Sequence, residues 1–198
     1  MERIVRTDAP EFLKKKWQEW GHEWMEKLNL KNNAVFSWRC HNKKGRKEIE
    51  KALCLMTDNH CSFCDASHMG PRLKPTIEHF RPKSKFPEIA YQWENLFIAC
   101  SLCQEKGDHF EETLLKPDEE SYSFDRYFDI DWETGKLIPN IDSSPEDQER
   151  AKTTIKLFRL NENGKPEDRL WELDAYQNPG NKNIEGYSYR FFLKRGHL

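Results

Sequence analysis

Apolar side chains recur at three- and four-residue steps near the start of the chain, between residues 10 and 30. The members of this stripe are Phe12, Leu13, Trp17, Trp20, Trp24 and Leu28. The spacing predicts an amphipathic helix on a Lys- and Glu-rich background, and Pro10 is tolerated in its first turn. The stripe either packs on the protein's own core or, because three tryptophans are typical of interfaces, docks another subunit.

The rest of the pattern predicts further helices and a few short strands. The predicted elements are a helix over 46–58, short strands between 131 and 139 with a turn at 133–136, a helix over 145–160 and a short helix over 166–176. Ser144 fits the N-cap of the helix that begins near Pro145. Residues 31–45 and 177–186 are rich in residues typical of loops.

Composition favours a folded chain with a modest core. Hydrophobic residues make up 36% of the 198 residues, and aromatic residues make up 13%. Charged residues reach 33%, and the mean hydropathy is −0.96. A metal ion that cross-links a core of this size would add to its stability.

The overall charge lacks the basic excess that is typical of a protein that binds nucleic acid by itself. The net charge is −2 and the isoelectric point is about 6.4. Because neutralised phosphates drive such binding, a function on nucleic acid requires a local basic patch or a positively charged partner.

The chain has neither an apolar run long enough to cross a membrane nor a signal peptide at its start, so we expect a cytoplasmic protein without a membrane partner. Cysteines stay reduced in that compartment, and clustered cysteines then indicate metal ligands before disulfides. Cys40 and Cys54 stand alone and are expected to be small buried residues.

The other four cysteines form two CxxC pairs, Cys61-Ser-Phe-Cys64 and Cys100-Ser-Leu-Cys103. Two such turns supply four thiolates to a tetrahedral Zn²⁺ ion. Four thiolates fill the coordination shell, so the zinc is expected to be structural. A redox-active pair and an iron–sulfur cluster are the alternatives.

The insert between the pairs carries a second pattern. Its first part reads Glu78-His79-Phe-Arg-Pro-Lys83, and its second part ends in Asn95-Leu96, just before the second pair. This pattern resembles that of the four-cysteine HNH endonucleases, which have an acidic residue followed by His, a proline three residues later and Asn-Leu before a CxxC pair. Their site is a ββα-metal fold, in which a hairpin and a helix grip one divalent ion.

This resemblance implies a role for each polar residue of the site. His79 would be the general base that deprotonates water, and Asn95 would hold it in place. Glu78 would ligate Mg²⁺ or Mn²⁺ through a carboxylate oxygen. Glu78 departs from the family's usual Asp, and Gln104 stands where the family commonly has Asn or His as a further metal ligand.

Basic residues follow the candidate base. Arg81, Lys83 and Lys85 either contact phosphates of a substrate or form a solvated basic loop, and the sequence leaves both open. His60, His68 and His109 are expected to take no part in the chemistry.

A closer resemblance covers about residues 55–170. It is a resemblance to the PtuB family, the HNH nucleases of Septu-type bacterial anti-phage systems. Relatives of this family accompany some retrons. The resemblance is carried by the insert, Gly135–Pro139, Thr154–Asn161 and Arg169. It implies a PtuA-like ATPase partner and a nucleic acid substrate, with DNA favoured and tRNA as the alternative. A retron reverse transcriptase with its RNA/DNA product is a further possible partner. The tryptophan helix or the aromatic and basic tail, residues 187–195, would dock the ATPase.

Together these observations predict an α+β protein: a ββα-metal core with a four-cysteine zinc-knuckle pair, surrounded by helices. We expect an N-terminal helical segment over 1–55, the zinc-stapled nuclease core over 56–112, and short strands and helices over 113–198. A zinc-stabilised module that binds nucleic acid or a partner without cleaving is the alternative to the nuclease. A redox or metal-storage protein is the third candidate.

Overall fold

The computed structural model describes residues 1–31, 34–39, 42–67, 74–178 and 183–196, without the side chains of 42–44. The predictions for Cys40 and His68, and parts of the predicted loops 31–45 and 177–186, lie outside these residues.

The described residues form a mixed α+β fold with two small antiparallel sheets. In chain order the helices are α1 (Glu11–Leu30), α2 (Asn42–Met56), α3 (Ser101–Gln104), α4 (Phe124–Tyr127), α5 (Pro145–Leu157), α6 (Lys165–Gln177) and α7 (Arg190–Leu193). The strands are β1 (Thr76–His79), β2 (Leu96–Ala99), β3 (Phe128–Asp131) and β4 (Lys136–Pro139). Short 3-10 turns cover Pro87–Ile89, Trp93–Asn95 and Ile184–Gly186.

Strands β1 and β2 pair antiparallel and separate two hydrophobic cores. Residues directly opposite each other point to the same face of a sheet, and neighbours along a strand point to opposite faces. The pairs Ile77–Ile98 and His79–Leu96 therefore share one face, and the pairs Thr76–Ala99 and Glu78–Phe97 share the other. Glu78 and His79, adjacent in sequence, lie on opposite sides of the sheet.

The aromatic core covers the His79 face. Its buried members come from α1, α2, the sheet and the segment before β2, and they are Leu13, Trp24, Ile49, Leu53, Ile77, Ala90, Tyr91, Trp93, Leu96 and Ile98. The thiolate core covers the Glu78 face. It combines the four cysteines with Phe97 of β2, Phe158 and apolar residues of both chain ends, among them Met1 and Phe192.

Helix α1 confirms the predicted helix and packs its stripe on the aromatic core. Trp24 is buried and its Nε1–H donates to the Lys83 carbonyl (2.9 Å). Trp20 contacts Tyr91 edge-on, with ring centroids 5.6 Å apart. Gly21 lets the helix approach the Pro87–Ile89 turn, because a Cβ there would lie 2.1 Å from the Glu88 carbonyl oxygen. The stripe is thus occupied within the protein, as in the first of the two predictions.

The remaining helices agree with prediction except at their ends. Helix α2 begins at Asn42, before the predicted start, and it stops at Met56 because Asp58 and Asn59 adopt positive φ angles. Helix α5 begins as predicted, since the Ser144 side chain accepts a hydrogen bond from the Asp147 N–H. It ends at Leu157, three residues short of prediction.

The two strands β3 and β4 form the predicted hairpin and are tied to the helices by side chains. The amide of Asn161 bonds both backbone groups of Leu137, at 2.8 and 2.7 Å. The guanidinium of Arg169 donates to the Gly135 and Leu160 carbonyls. The downstream motif residues therefore hold the hairpin against α5 and α6.

The aromatic tail is also occupied within the fold. Phe191, Phe192 and Leu193 of α7 are buried in the thiolate core. The apolar side chains of the tail and of the tryptophan stripe contribute to the two cores, and Trp17 and Trp20 stay half-buried. No described helix is both long and apolar enough to span a lipid bilayer.

Candidate functional site

The four CxxC cysteines converge in the thiolate core. Their Sγ atoms all lie within 4.8 Å of one another, and the four side chains are buried. Cys64 and Cys100 place their Sγ atoms 3.7 Å apart. Sulfur ligands on a tetrahedral Zn²⁺ with bonds of about 2.3 Å lie about 3.8 Å apart, so this donor set fits zinc.

Backbone hydrogen bonds join the first knuckle to the sheet and to the second knuckle. The Cys100 N–H donates to the Cys61 Sγ (3.3 Å), and the Ser62 N–H donates to the Ile98 carbonyl (2.9 Å). The cluster therefore fixes the end of β2, and the metal that it could hold would be structural.

Arg169 provides positive charge near the thiolates. It is fully buried, and burial lowers the pKa of its guanidinium to about 10, while the Cys64 and Cys103 charges act in the opposite direction. Among the described residues it forms no ion pair with a carboxylate. Four thiolates around Zn²⁺ carry net negative charge, and a buried cation nearby compensates part of it.

Glu78 points into the thiolate side of the sheet and pairs with a buried lysine. Its Oε1 lies 3.0 Å from the Lys106 Nζ, and neither side chain is more than 6% exposed. The same ammonium contacts the backbone carbonyls of His79, Phe80, Gly107 and His109 at 3.2–3.5 Å. Burial raises the pKa of Glu78 to about 7, and the Lys106 charge opposes that rise.

This pairing bears on the expected Mg²⁺ or Mn²⁺ site. The Glu78 carboxylate faces the Lys106 ammonium, whereas a carboxylate that ligates a metal would face the metal ion. Gln104 is half-buried at the end of α3, and its side chain makes no hydrogen bond to another described residue. Apart from the four cysteines, the described residues bring no three His, Cys, Asp or Glu side chains together around one point. In this arrangement the Glu78 carboxylate is paired with Lys106 and is not free to ligate a divalent ion.

His79 lies in the aromatic core with one ring nitrogen anchored. Its Nε2 lies 2.9 Å from the Ala90 carbonyl oxygen, and because a carbonyl only accepts, Nε2 carries the hydrogen. Nδ1 then holds the free lone pair, and no described residue bonds it. The ring is 6% exposed. Burial, followed by the charge of Lys83, lowers the pKa of His79 to about 3.

Asn95 clasps both ends of the loop between His79 and Ala90. Its Oδ1 accepts from the Arg81 N–H (2.8 Å), and its Nδ2 donates to the carbonyls of Arg81 (3.0 Å) and Ile89 (3.2 Å). The buried amide thus holds the residues on either side of the His79–Ala90 hydrogen bond. Its predicted positioning role is compatible with this arrangement.

The two basic residues after His79 differ in their surroundings. Arg81 pairs with Glu112 at 2.7 Å and stacks over Phe86 and Phe110. Lys83 extends on the other side, with its Nζ 5.4 Å from the centre of the Phe36 ring, and its charge reaches both Glu78 and His79. Lys83 is therefore the better placed of the two for a substrate phosphate near His79.

Three neighbours of the site escaped the sequence analysis. Lys106 follows the second CxxC pair without any pattern that marks it as buried. Phe36 and Trp38 lie in a stretch predicted as loop, where ring contacts with His79 have no local signal. The opposite orientation of Glu78 and His79, by contrast, follows from the two-residue period of a strand.

Comparisons with known proteins give one partial similarity. No protein-family model matches the chain. Over 66 residues it is 33% identical to the Septu protein PtuB of Bacillus thuringiensis, a stretch that is 33% of this chain and 26% of that protein. The similarity supports a relationship to Septu proteins, and the chain matches only about a quarter of that relative.

Proposed function

We propose that this protein is an HNH-type nuclease of a Septu-related anti-phage defence system, with His79 as its general base. The observation that carries the proposal is the anchored imidazole. Nε2–H is held by the Ala90 carbonyl, so the lone pair is fixed on Nδ1. A base that is held in one tautomer by a backbone carbonyl is ready to accept a proton from water.

The reaction would be hydrolysis of a phosphodiester. Nδ1 of His79 accepts a proton from water, and the resulting hydroxide attacks phosphorus. The bond to the leaving oxygen breaks, this oxygen takes a proton from solvent, and His79 then releases its own proton to solvent. Lys83 supplies positive charge on the same side as the ring. In the present arrangement the pKa of about 3 makes His79 a weak base, and burial is the largest cause. The strength of the base therefore depends on what covers the ring.

The order of elements supports the HNH assignment. Strand β1, strand β2 and the short helix α3 follow in the order of a ββα unit, and the cysteine cluster lies at the junction of β2 and α3. Zinc at that cluster would hold the sheet that carries His79. The resemblance also implies Mg²⁺ or Mn²⁺ on Glu78 and Gln104, but the Glu78 carboxylate is paired with Lys106.

The proposed partners follow from charge and similarity. With a net charge of −2, the chain needs either a local basic patch or a positive surface from a partner to bind nucleic acid tightly. A PtuA-like ATPase would supply such a surface. DNA is the favoured substrate and tRNA the alternative, while a retron reverse transcriptase with its RNA/DNA product is a further partner to examine.

The second candidate function is a zinc-stabilised binding module that does not cleave. The observation that favours it is the Glu78–Lys106 ion pair, which occupies the carboxylate next to His79 in the sequence.

A cleavage assay separates the two candidates. His79→Ala, purified together with its ATPase partner, should lose about 10²–10⁴-fold in the rate of nucleic acid cleavage, because the general base is removed. His22→Ala is the matched control, since His22 is exposed on α1 and should leave the rate unchanged. Equal rates for wild type and His79→Ala would reject the nuclease and leave the binding module.

A further inference from the structure

The segment between α1 and α2, residues 34–39, lies directly over His79. The Trp38 ring is nearly parallel to the imidazole, at 14°, with centroids 5.6 Å apart. The Phe36 ring meets the imidazole edge-on, at 84° and 5.3 Å. Both rings also contact Tyr91, so three aromatic side chains close around one face of the site.

This segment is attached to the protein by isolated hydrogen bonds and not by a sheet. The Tyr91 hydroxyl donates to the Ser37 carbonyl (2.6 Å), and Lys27 donates to the Val35 carbonyl (3.1 Å). An exposed ion pair joins Arg39 to Glu23 at 2.9 Å. No described strand pairs with residues 34–39, so the segment can leave its position without breaking a ladder of backbone hydrogen bonds.

The cover has a direct consequence for catalysis. A general base must come within hydrogen-bond reach of the water that attacks the substrate. With 6% of His79 exposed, a water molecule can approach, but a phosphodiester with its flanking sugars cannot. The arrangement therefore describes a closed site.

We propose that residues 34–39 form a strap that keeps the site closed in the isolated chain and must be displaced before nucleic acid reaches His79. The proposal rests on the proposed function, because it concerns access to the same imidazole. Closure by Trp38 and Phe36 keeps the nuclease inactive, and displacement of the strap exposes Nδ1 next to Lys83. A defence nuclease with such a strap is silent until another component opens it.

Chemical modification of the wild-type chain tests the closure without a nuclease assay. Diethyl pyrocarbonate transfers its ethoxycarbonyl group to an accessible unprotonated imidazole nitrogen, and peptide mass spectrometry gives the rate for each histidine. His22, on the exposed side of α1, is the internal reference. His79 should react about 10- to 1000-fold more slowly than His22, as for a minor open state of about 0.1–10%. Equal rates for the two histidines would overturn the strap.

Two variants and a control locate the protection. Trp38→Ala should raise the rate at His79 at least about 10-fold, since it removes the ring that covers the imidazole. Trp171→Ala, at an exposed tryptophan of α6, should not change it. If Trp38→Ala does not fold, Tyr91→Phe removes the hydroxyl bond to the Ser37 carbonyl, and the rate should rise about 5-fold. Unchanged protection in the folded variants would overturn the proposal.

The same variants distinguish failure of the strap from failure of the nuclease. If the strap and the nuclease assignment are both right, Trp38→Ala without the partner cleaves nucleic acid faster than wild type without the partner. The double variant with His79→Ala should then lose this increase in rate. If Trp38→Ala exposes His79 to the reagent but cuts no nucleic acid even together with the ATPase partner, the strap stands and the nuclease is rejected.

Discussion

The two faces of the β1–β2 sheet are held in different ways. On the thiolate side, four cysteines converge and the Glu78 carboxylate is paired with the buried Lys106 ammonium. On the aromatic side, the His79 ring contacts Phe36 and Trp38, and its one described side-chain hydrogen bond goes to the Ala90 carbonyl.

The difference assigns separate tasks to two adjacent residues. Bonds to a metal and a buried ion pair resist local opening, so Glu78 belongs to the part that keeps the sheet in place. Ring contacts and single hydrogen bonds are individually weak, so the cover of His79 can change while the sheet stays intact. A stable sheet with a displaceable aromatic segment over His79 suits a general base that acts only after activation.

Removal of a zinc ligand should cause the largest loss of stability, and the loss should fall on the thiolate side of the sheet. Cys103→Ser should lose zinc and about 10 kcal/mol of stability on the thiolate side, because metal binding contributes to folding directly. Zinc content and thermal unfolding measure the loss. Cys54→Ser, at a half-buried cysteine outside the cluster, should keep its zinc and its transition. A well-folded Cys103→Ser protein without zinc would show that the cluster is not a structural centre.

Loss of the buried lysine should come next. Lys106→Met leaves the Glu78 carboxylate buried without its cation, which costs about 3–5 kcal/mol in urea unfolding. Because the pKa of Glu78 is already raised to about 7, the proton is retained in acid, so the loss should be larger at pH above 7 than near the ordinary pKa of a Glu carboxyl.

The double variant Glu78→Gln with Lys106→Met should recover part of that stability, since no unpaired charge remains. If Lys106→Met alone unfolds like the wild type, the ion pair does not support the sheet.

A change at Gly21 should affect only the aromatic side. In Gly21→Ala the new Cβ would lie 2.1 Å from the Glu88 carbonyl oxygen, so α1 must move away from the turn before Ala90. We expect a loss of about 1–3 kcal/mol and faster modification of His79, with zinc retained.

Gly186→Ala is the matched control, because a Cβ there meets nothing within 4 Å. It should be neutral within about 0.5 kcal/mol. Loss of zinc from Gly21→Ala would show that the two sides are not separable.

The smallest effect should come from the cap of α5. Ser144→Ala removes the hydrogen bond to the Asp147 N–H and should cost about 1 kcal/mol in thermal or urea unfolding. Zinc content and the modification rate of His79 should stay at their wild-type values, because the cap touches neither side of the sheet. A change in either would mean that the distant helix controls the site.

The predictable parts of this protein are those with a local signal. Trp20 and Trp24 recur at helical spacing and lie on α1, Ser144 caps α5, and the four cysteines converge as their spacing indicates. These features depend on residues close in sequence or on metal geometry.

The parts that escaped prediction depend on tertiary contacts. Trp38 stacks on His79 across a long separation in sequence, and Lys106 is buried only because Glu78 and several carbonyls converge on it. Glu78 shows the same limit, since the resemblance transfers a residue type and the Lys106 that pairs with it has no signal in the sequence.

The protonation state of His79 tests the central claim most directly. Nitrogen NMR of the ring, in the zinc-loaded protein, reports which nitrogen carries the hydrogen and the pH at which the ring gains a second one. We expect hydrogen on Nε2, a bare Nδ1 and a neutral ring from about pH 8 down to about pH 5, because burial lowers the pKa of His79. Hydrogen on Nδ1, or titration near the ordinary value of about 6.5, would contradict it.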